Sequence, residues 1–525
     1  MTSHSFLRRA GPLVLARFAS AVVTTVVPLV LARAMAIEEY GTYKQLFLVA
    51  VTLTAILPFG VPQSLYYFLP RDPRGRPYVG HSLIYLLGAG LLGTVLVWAF
   101  APSIAELFST PGLYAHRIPL AVFTGAFVAA MPLELGLTSQ GRTDLAALSY
   151  LGWDSARAAA MTLPILLGWG LHWTVWSVAF LMLARLVVTW VVLLRSTRGP
   201  LWNGKLLWTQ LAYSLPFGAA LAMSVPQHAF HQWVVSARFD PAVFAIYAVG
   251  CFQLPIVDLL YTPTSEVLMV HIGELDRKGR LHETVEAFRD AAGRLAYVFV
   301  PTAVFLVTAA PEFIEAVFGH RFVDAVPLFR VSSIAVLFAC FPLDGLLRAR
   351  GETTPIFHAY LVKLVLTIPL VLGMVQWMGL MGGILSWLIA EALGKVLLVR
   401  PVPRALGLRT YLEMRPMVPW SSLTKASVAA LAAAAGLLVW KRLVSMTWAQ
   451  IPHSFLWRLL PIAAVAALFG ILYLLALQLM GVSMWRVVRS LRRPIAEASE
   501  LDRPPLDVEP TQGSAVRVPS AADAS

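Results

Sequence analysis

The feature that most constrains this chain is a series of apolar blocks, each about 20 residues long, separated by short polar segments. A helix of that length crosses the ~30 Å hydrocarbon core of a membrane, where backbone polar groups must be bonded within the helix. Of the 525 residues, 58% are hydrophobic and 13% are charged, whereas soluble proteins are about 25% charged. The chain is therefore predicted to be an all-α polytopic membrane protein, which excludes a cytosolic enzyme, a secreted domain and a nucleic-acid-binding protein.

Apolar windows bounded by proline, glycine or charge predict about fourteen transmembrane helices. Their cores lie at 11–34, 46–69, 79–102, 117–138, 146–169, 173–195, 207–235, 242–270, 293–310, 325–347, 355–376, 380–400, 420–440 and 459–481. Between the eighth and ninth helices, residues 281–288 are predicted to form a small surface helix.

The charges of the loops predict an orientation. With the N-terminus in the cytoplasm, basic residues in the cytoplasmic segments outnumber those in the outer segments roughly threefold, as the positive-inside rule requires. The outer segments hold Arg33, Lys44, Arg117, Arg238, Arg321, Lys441, Arg442 and Arg458. Both termini are thus predicted to be cytoplasmic, and the net charge of +13 is an orientation signal instead of a sign of nucleic-acid binding.

Comparison of the sequence with itself indicates an internal repeat. At an offset of 204 residues, Tyr43, Asp72, Arg74, Gly75 and Arg76 fall on Tyr247, Asp276, Lys278, Gly279 and Arg280. At an offset of 210, the pattern LxxxGxTxxxxxxY that begins at Leu137 recurs at Leu347. The first six predicted helices therefore pair with the next six.

This repeat predicts the domain organisation. Residues 1–200 and 201–410 form two parallel six-helix bundles, because an even number of helices per copy preserves their orientation, and the bundles face a central cleft. Residues 411–485 add two further membrane helices, and 486–525 form a tail that is first basic and then disordered.

Five segments carry a resemblance to a known superfamily. They are LARAMAIEEYGTYKQ from Leu31, SLPFGAALAMSVPQ from Ser214, DPAVFAIYAVG from Asp240, EAVFGHRFVDAVPLFR from Glu315 and LLRARGETTPIFHAY from Leu346. Over about residues 8 to 410 the chain resembles the multidrug/oligosaccharidyl-lipid/polysaccharide exporter superfamily. Within it, the chain is most similar to Wzx-type lipid-linked oligosaccharide flippases and related polysaccharide biosynthesis proteins.

The resemblance implies two six-helix lobes arranged as a V in the bacterial inner membrane. They would move an undecaprenyl-diphosphate-linked sugar from the cytoplasmic to the outer leaflet, with membrane lipids and other polysaccharide-assembly proteins as partners. The two additional helices are similar to those that form a groove for the lipid tail in the lipid II flippase branch. No cofactor is expected beyond coupling to Na⁺ or H⁺.

A diphosphate head group needs a hydrated cleft with cationic contacts, and basic residues within membrane helices are the candidates. Each costs roughly 2.5–3.5 kcal/mol on insertion scales unless it faces a cavity or a partner. Seven such residues are present: Arg17, Arg157, Arg185, Arg330, Lys363, Lys395 and Lys425.

Arg17 is the foremost candidate, since Ser20 and Thr24 extend a polar stripe on its helix and related flippases carry a functional arginine there. The alternative is that Arg17 snorkels to the head groups, which is the interpretation favoured for Lys425. Lys363 has no acid within a turn, so it needs either a partner on another helix or an anionic ligand.

Other basic residues have acids at helical spacing. Lys395 follows Glu391 by four residues and Arg157 follows Asp154 by three, which favours structural ion pairs. Arg185 and Arg330 have none nearby and are predicted to pair across the bundle or to face the cleft.

Carboxylates within the helices are candidates for ion coupling. Asp258 and Glu266 lie in a helix interrupted by Pro255 and Pro263, and broken helices free carbonyl oxygens that bind Na⁺. Further candidates are Glu134, Asp154 and Glu391. Alternatively, these acids neutralise the basic residues within the membrane.

His228, His231 and Gln232 have the spacing of one helical face, which predicts sugar contacts or a packed polar seam. Two histidines without a third ligand rarely bind a metal, so no metal site is predicted.

Two other functions share this general architecture. A cation-coupled drug exporter of the same superfamily is the nearest alternative, although its usual twelve helices disfavour it. A membrane-embedded polysaccharide polymerase or acyltransferase would need a large outer loop or a catalytic His/Asp motif, and the sequence contains neither.

Overall fold

A computed structural model of the chain describes residues 3–71, 75–444 and 455–483, and these ranges contain helices but no strand. Asp72 and Arg74 of the repeat, and the predicted tail at 486–525, lie outside the described residues.

The first half contains α1 (Ser3–Ala34), α2 (Ile37–Ile56), α3 (Val61–Phe68), α4 (Arg76–Leu107), α5 (Pro111–Ala115), α6 (Arg117–Ala129), α7 (Pro132–Ser139), α8 (Thr143–Leu166) and α9 (Gly170–Ser196). The second half contains α10 (Gly204–Arg238), α11 (Pro241–Gly250), α12 (Ile256–Arg277), α13 (Leu281–Thr308), α14 (Ala310–Val317), α15 (Val326–Ser333), α16 (Leu343–Ala349), α17 (Thr353–Val399) and α18 (Val402–Ala405). Two helices follow, α19 (Trp420–Val444) and α20 (Phe455–Leu479). Short 3₁₀ helices lie at His320–Ala325, Ile334–Cys340 and Tyr411–Met417.

Eleven helical segments of the described chain are long and apolar enough to cross a membrane, which confirms a polytopic all-α membrane protein. One of them, Thr354–Ala405, contains two predicted helices, because α17 bends sharply at Gly379. Neither α8 nor α12 is among the eleven, and both carry charged residues. The total agrees with about fourteen membrane-length elements.

Two predicted boundaries are wrong. Residues 281–288 are the first two turns of α13 and not a separate surface helix. Helix α2 begins at Ile37, so Lys44, predicted in an outer loop, lies two turns inside the helix above the Tyr40 ring. The reason is that Glu38 and Glu39 occupy the first turn of α2, where carboxylates stabilise a helix N-terminus instead of marking a loop.

Each half of the chain packs mainly on itself. In the first half α1 lies against α8, while α6 lies against both α4 and α9. In the second half α10 lies against α17, and α13 packs on α12 and on the 3₁₀ helix Ile334–Cys340. Contacts between the halves run chiefly through α2, which packs on α10 and α11.

The same turn recurs in both halves at the offset of 210 residues. The N–H of Arg142 donates to the carbonyl of Leu137 at 2.9 Å, and the N–H of Glu352 donates to that of Leu347 at the same distance. Gly141 (φ 77°) and Gly351 (φ 74°) adopt the left-handed backbone that closes these turns. This part of the sequence repeat is therefore also a structural repeat.

The two additional helices are attached to the second half. Helix α19 packs on α13, and Lys441 at its end pairs with Glu312 at 2.8 Å. Helix α20 packs on α19, and the hydroxyl of Tyr473 donates to the carbonyl of Tyr297 at 2.9 Å.

Helices α2 and α11 approach most closely at Gly41. A Cβ atom at this position would overlap the carbonyl group of Pro241, the first residue of α11. Because the overlapped atoms of Pro241 belong to the backbone, they cannot move aside unless the two helices separate.

We expect Gly41→Ala to lower the free energy of unfolding by about 1–3 kcal/mol, the usual cost of overpacking. The measurement is unfolding of the detergent-solubilised protein. Gly88→Ala is the matched control, since a Cβ at Gly88 on α4 meets no neighbouring atom, and alanine should be neutral or stabilising there. Equal stability of the two variants would contradict the packing described for α2 and α11.

Candidate functional site

Arg17 lies on α1 where that helix packs against α8. Its guanidinium contacts the hydroxyl of Tyr150 at 3.4 Å and lies 5.1 Å from the centre of the tyrosine ring. No carboxylate among the described residues forms an ion pair with it, and the side chain is exposed. One turn away, Ser20 donates its hydroxyl to Asp154.

Two tyrosines interact with this arginine, and a second pair of tyrosines lies beside them. Tyr66 at the end of α3 also interacts with Arg17. Its neighbour Tyr67 stacks on Tyr213 of α10 with ring centres 4.6 Å apart, and Arg71 lies 4.0 Å above the Tyr67 ring. Tyr66, Tyr67 and Tyr213 are 40%, 39% and 47% exposed. We call the set formed by Arg17, Tyr66, Tyr67, Arg71, Tyr150 and Tyr213 the tyrosine vestibule.

Sequence analysis did not predict the tyrosines of this vestibule. The available signal was the run Tyr66-Tyr67-Phe68 at the end of a membrane helix. Such residues are ordinarily interfacial anchors, and only the packing of α3 on α10 brings them together with Tyr213 and towards Arg17.

The other two candidate arginines of the first half, Arg157 and Arg185, are neutralised by acids. Arg157 pairs with Asp154 at 2.8 Å, as their spacing predicts. Arg185 pairs across the bundle with Glu134 at 2.7 Å, and the Ser149 hydroxyl donates to the same carboxylate. Glu134 is 1% exposed, so this pair stabilises the fold and leaves no free charge for a ligand.

In the second half, Lys363 pairs with Glu391 at 2.7 Å and is 3% exposed. The predicted pair between Lys395 and Glu391 is wrong. The bend in α17 brings its two segments side by side, so Glu391 meets Lys363 from the other segment. Lys395 instead donates to the carbonyl of Phe341 at 3.1 Å.

A cavity of about 210 Å³ adjoins Glu391. His228 and Asp258 also line it, and His228 Nδ1 lies 3.4 Å from the Glu391 carboxylate. Asp258 lies just after the break at Pro255, and Glu266 lies two turns further along α12. Neither of these two carboxylates forms an ion pair within the described part of the chain. The cavity thus combines two acids and an imidazole in one polar site.

His231 does not join that site. It is 4% exposed, and its Nδ1 lies 2.6 Å from the hydroxyl of Tyr247 in the core. His231 therefore fits the packed polar seam, the second of the two predicted roles, and not a sugar contact in this conformation, because its partner Tyr247 lies in the core. Gln232 is half-buried.

Arg330 is exposed and bonds within its own half. Its Nε donates to the carbonyl of Val307 at 3.2 Å near the predicted outer face, and no carboxylate of the described residues pairs with it.

Two arginines join the halves at the predicted outer face. Arg33 donates to the carbonyls of Ala316 and Val317, the latter at 2.9 Å. In the opposite direction, Arg321 donates to the carbonyls of Met35 and Arg33, both at 2.7 Å. We call this reciprocal arrangement the arginine latch. It closes the two halves on the face opposite to the tyrosine vestibule.

Comparison with known sequences identifies the family of this chain. A sequence family described as polysaccharide biosynthesis protein matches residues 30–327, more than half of the chain. The chain belongs to this polysaccharide biosynthesis protein family. No curated protein sequence matches the chain.

Several solved structures are similar to the chain in fold. The chain is similar to a structure of lipid II flippase MurJ in an inward closed conformation, with a TM-score of 0.66. The two are 13% identical, and the match covers 88% of this chain and 98% of that chain. The chain is also similar to a multidrug resistance MATE family transporter in an inward-facing conformation, with a TM-score of 0.59 and 16% identity over 76% of this chain and 95% of that chain. An outward-facing MATE structure gives a TM-score of 0.53 and 15% identity over 77% and 96% of the two chains.

We expect the double substitution Arg33→Ala/Arg321→Ala to separate the halves at the predicted outer face, since it removes every side-chain donor of the latch. The measurement is double electron–electron resonance between spin labels at Tyr114→Cys and Asp324→Cys, with Cys251 and Cys340 replaced by alanine. The distance between the two labels should lengthen in the double variant. Arg330→Ala is the control, because Arg330 bonds within its own half. An unchanged distance distribution in the double variant would show that the latch does not hold the halves together.

Proposed function

We propose that this protein is a flippase that moves an undecaprenyl-diphosphate-linked oligosaccharide from the cytoplasmic to the outer leaflet for the synthesis of a surface polysaccharide. The observation that carries the proposal is Arg17. It is a membrane-helix cation exposed among tyrosines without a carboxylate partner in the described chain, whereas Arg157, Arg185 and Lys363 are paired with acids. Membership of the polysaccharide biosynthesis protein family supports the choice of a glycan.

The tyrosine vestibule suits the two parts of such a head group. A guanidinium forms two parallel hydrogen bonds to a phosphate, which compensates for removing the diphosphate from water. Exposed tyrosine rings offer an apolar face and a hydroxyl, and sugars present both apolar faces and hydroxyl groups. Arg17 and Arg71 would hold the diphosphate while Tyr66, Tyr67 and Tyr213 contact the sugar.

The latch gives the proposal a direction. With the outer face closed by Arg33 and Arg321, the head group enters from the vestibule side, which carries the positive-inside loops. Release requires a second conformation in which the latch is broken, and cargo drives the change only by binding the two conformations with different affinity. We place the protein in the bacterial inner membrane with both termini cytoplasmic, beside other polysaccharide-assembly proteins.

Drug export is the nearest alternative because the fold is shared with MATE transporters. A guanidinium without an acid partner favours an anionic cargo over a cationic drug. Catalysis by a membrane polymerase would instead change the glycan itself, so product analysis separates it from flipping.

We expect Arg17→Gln to slow flipping of a fluorescent lipid-linked oligosaccharide in proteoliposomes roughly 10- to 100-fold. This factor corresponds to the loss of one hydrogen bond to a charged group, which contributes about 1.5–3 kcal/mol. Arg17→Lys should restore part of the rate, because it keeps the charge and loses the bidentate geometry. Arg142→Gln removes an exposed charge from the same predicted face and should leave the rate unchanged. Wild-type flipping by a folded Arg17→Gln protein would refute the role of this residue.

We further propose that the cavity formed by His228, Asp258 and Glu391 couples transport to a cation, either Na⁺ or H⁺. The chain breaks between α11, which ends at Gly250, and α12, which begins at Ile256, and broken membrane helices of this kind commonly hold cations. Glu391 is already engaged by Lys363 and His228, which leaves Asp258 as the carboxylate available to a cation.

We expect Asp258→Asn to abolish stimulation of flipping by a Na⁺ or proton gradient directed from the outer to the cytoplasmic side, while flipping without a gradient persists. The same proteoliposomes with imposed gradients provide the measurement. Glu266→Gln on the same helix does not touch the cavity and should keep the stimulation. Stimulation of the Asp258→Asn protein to the wild-type level would contradict the coupling role.

A further inference from the structure

A basic cavity lies on the predicted cytoplasmic side, remote in sequence from the tyrosine vestibule. It measures about 660 Å³ and is formed where the first turns of α17, the end of α17 and α18 meet. Three arginines line it, Arg400, Arg404 and Arg409, together with His358 and Tyr411. We call it the triple-arginine pocket.

The charges of this pocket are not balanced by the protein. No carboxylate lines it, and none of the three guanidiniums forms an ion pair within the described ranges. The carboxylate of Glu413 is the nearest along the chain, and it accepts the backbone N–H of Arg409 at 3.0 Å instead of the guanidinium. By contrast, the neighbouring Arg350 is paired with Asp276. All three arginines are exposed, so together they form an anion-binding surface.

The floor of the pocket is apolar and continues along the membrane-facing side of α17. Val362 lines the pocket and is 42% exposed, and Val365 and Leu366, one turn further into the membrane, are 60% and 45% exposed. An anion bound by the arginines would therefore have a hydrophobic track directly beneath it. A phosphate joined to acyl chains matches this arrangement, whereas a free phosphate would leave the track uncovered.

We propose that the triple-arginine pocket binds the head group of an anionic glycerophospholipid, with its acyl chains lying along Val362, Val365 and Leu366. Basic pockets at the ends of membrane helices on the cytoplasmic side suit such head groups, because each arginine near the surface attracts the negative charge of the lipid. The bound lipid would fix α18 and the 3₁₀ helix Tyr411–Met417, which connect the second half to α19. This site is independent of the cargo proposed above.

Native mass spectrometry of the full detergent-solubilised chain tests the proposal. Dioleoylphosphatidylglycerol should bind the wild-type protein at least fivefold more tightly than dioleoylphosphatidylcholine. The variant Arg400→Gln/Arg404→Gln/Arg409→Gln should lose that preference. The control variant Arg142→Gln/Arg195→Gln/Arg198→Gln removes three exposed charges from the same predicted face of the first half and should keep it.

Three outcomes would overturn the proposal: equal affinity of the wild type for both lipids, equal loss in the pocket and control variants, or displacement of the lipid by millimolar glycerol 3-phosphate. The last result would identify a site for free phosphate compounds. If the triple variant does not fold, the three single Arg→Gln variants replace it, and each should weaken binding of the anionic lipid alone. Unaltered binding in all three singles would likewise reject the assignment.

Discussion

The cost of a charge in hydrocarbon is the constraint on which this structure depends. Each buried cation costs several kcal/mol unless a partner or a hydrated cavity compensates for it. The chain places acids accordingly: Glu134 beside Arg185 and Glu391 beside Lys363, both at 2.7 Å. Arg17 has no such acid partner in the described residues, so its charge is available to the anionic head group proposed above.

The same constraint made the helical framework predictable. A bilayer selects helices by length and apolarity, so the pattern of apolar blocks predicts about fourteen elements. The break at Pro255 was indicated by proline, and the two similar halves were indicated by the internal repeat. Boundaries at charged residues were less predictable. Glu38 and Glu39 indicate a loop by polarity, yet they begin α2, because the helix N-terminus stabilises carboxylates.

The candidate site was only partly predictable, because spacing within one helix reports only that helix. The i,i+4 spacing predicts that Lys395 pairs with Glu391. The bend in α17 instead places Lys363, 28 residues away in the sequence, beside the same carboxylate. Arg185 and Glu134 are 51 residues apart, and nothing in either local sequence indicates the other. For the same reason His228 and His231, three residues apart, have different environments, one in the cavity and one in the core.

The repeat explains how one fold provides two kinds of site. Helices α1 and α8 in the first half pack as α10 and α17 do in the second, and Tyr150 and Tyr360 occupy equivalent positions of the repeat. Yet Tyr150 contacts Arg17, whereas the carbonyl of Tyr360 accepts a bond from Gln227, one residue before the His228 of the cavity. The two halves thus share the packing of these helix pairs, while different side chains on the helices give each half its own site.

In the described residues, the latch between these halves joins arginine side chains to backbone carbonyl groups through hydrogen bonds. Such bonds contribute about 1.5–3 kcal/mol each, and about 5.5 kcal/mol shifts a two-state equilibrium from one side almost wholly to the other. In the function proposed above, a closure of this strength holds the outer face shut at rest, and cargo that binds the open conformation more tightly would open it.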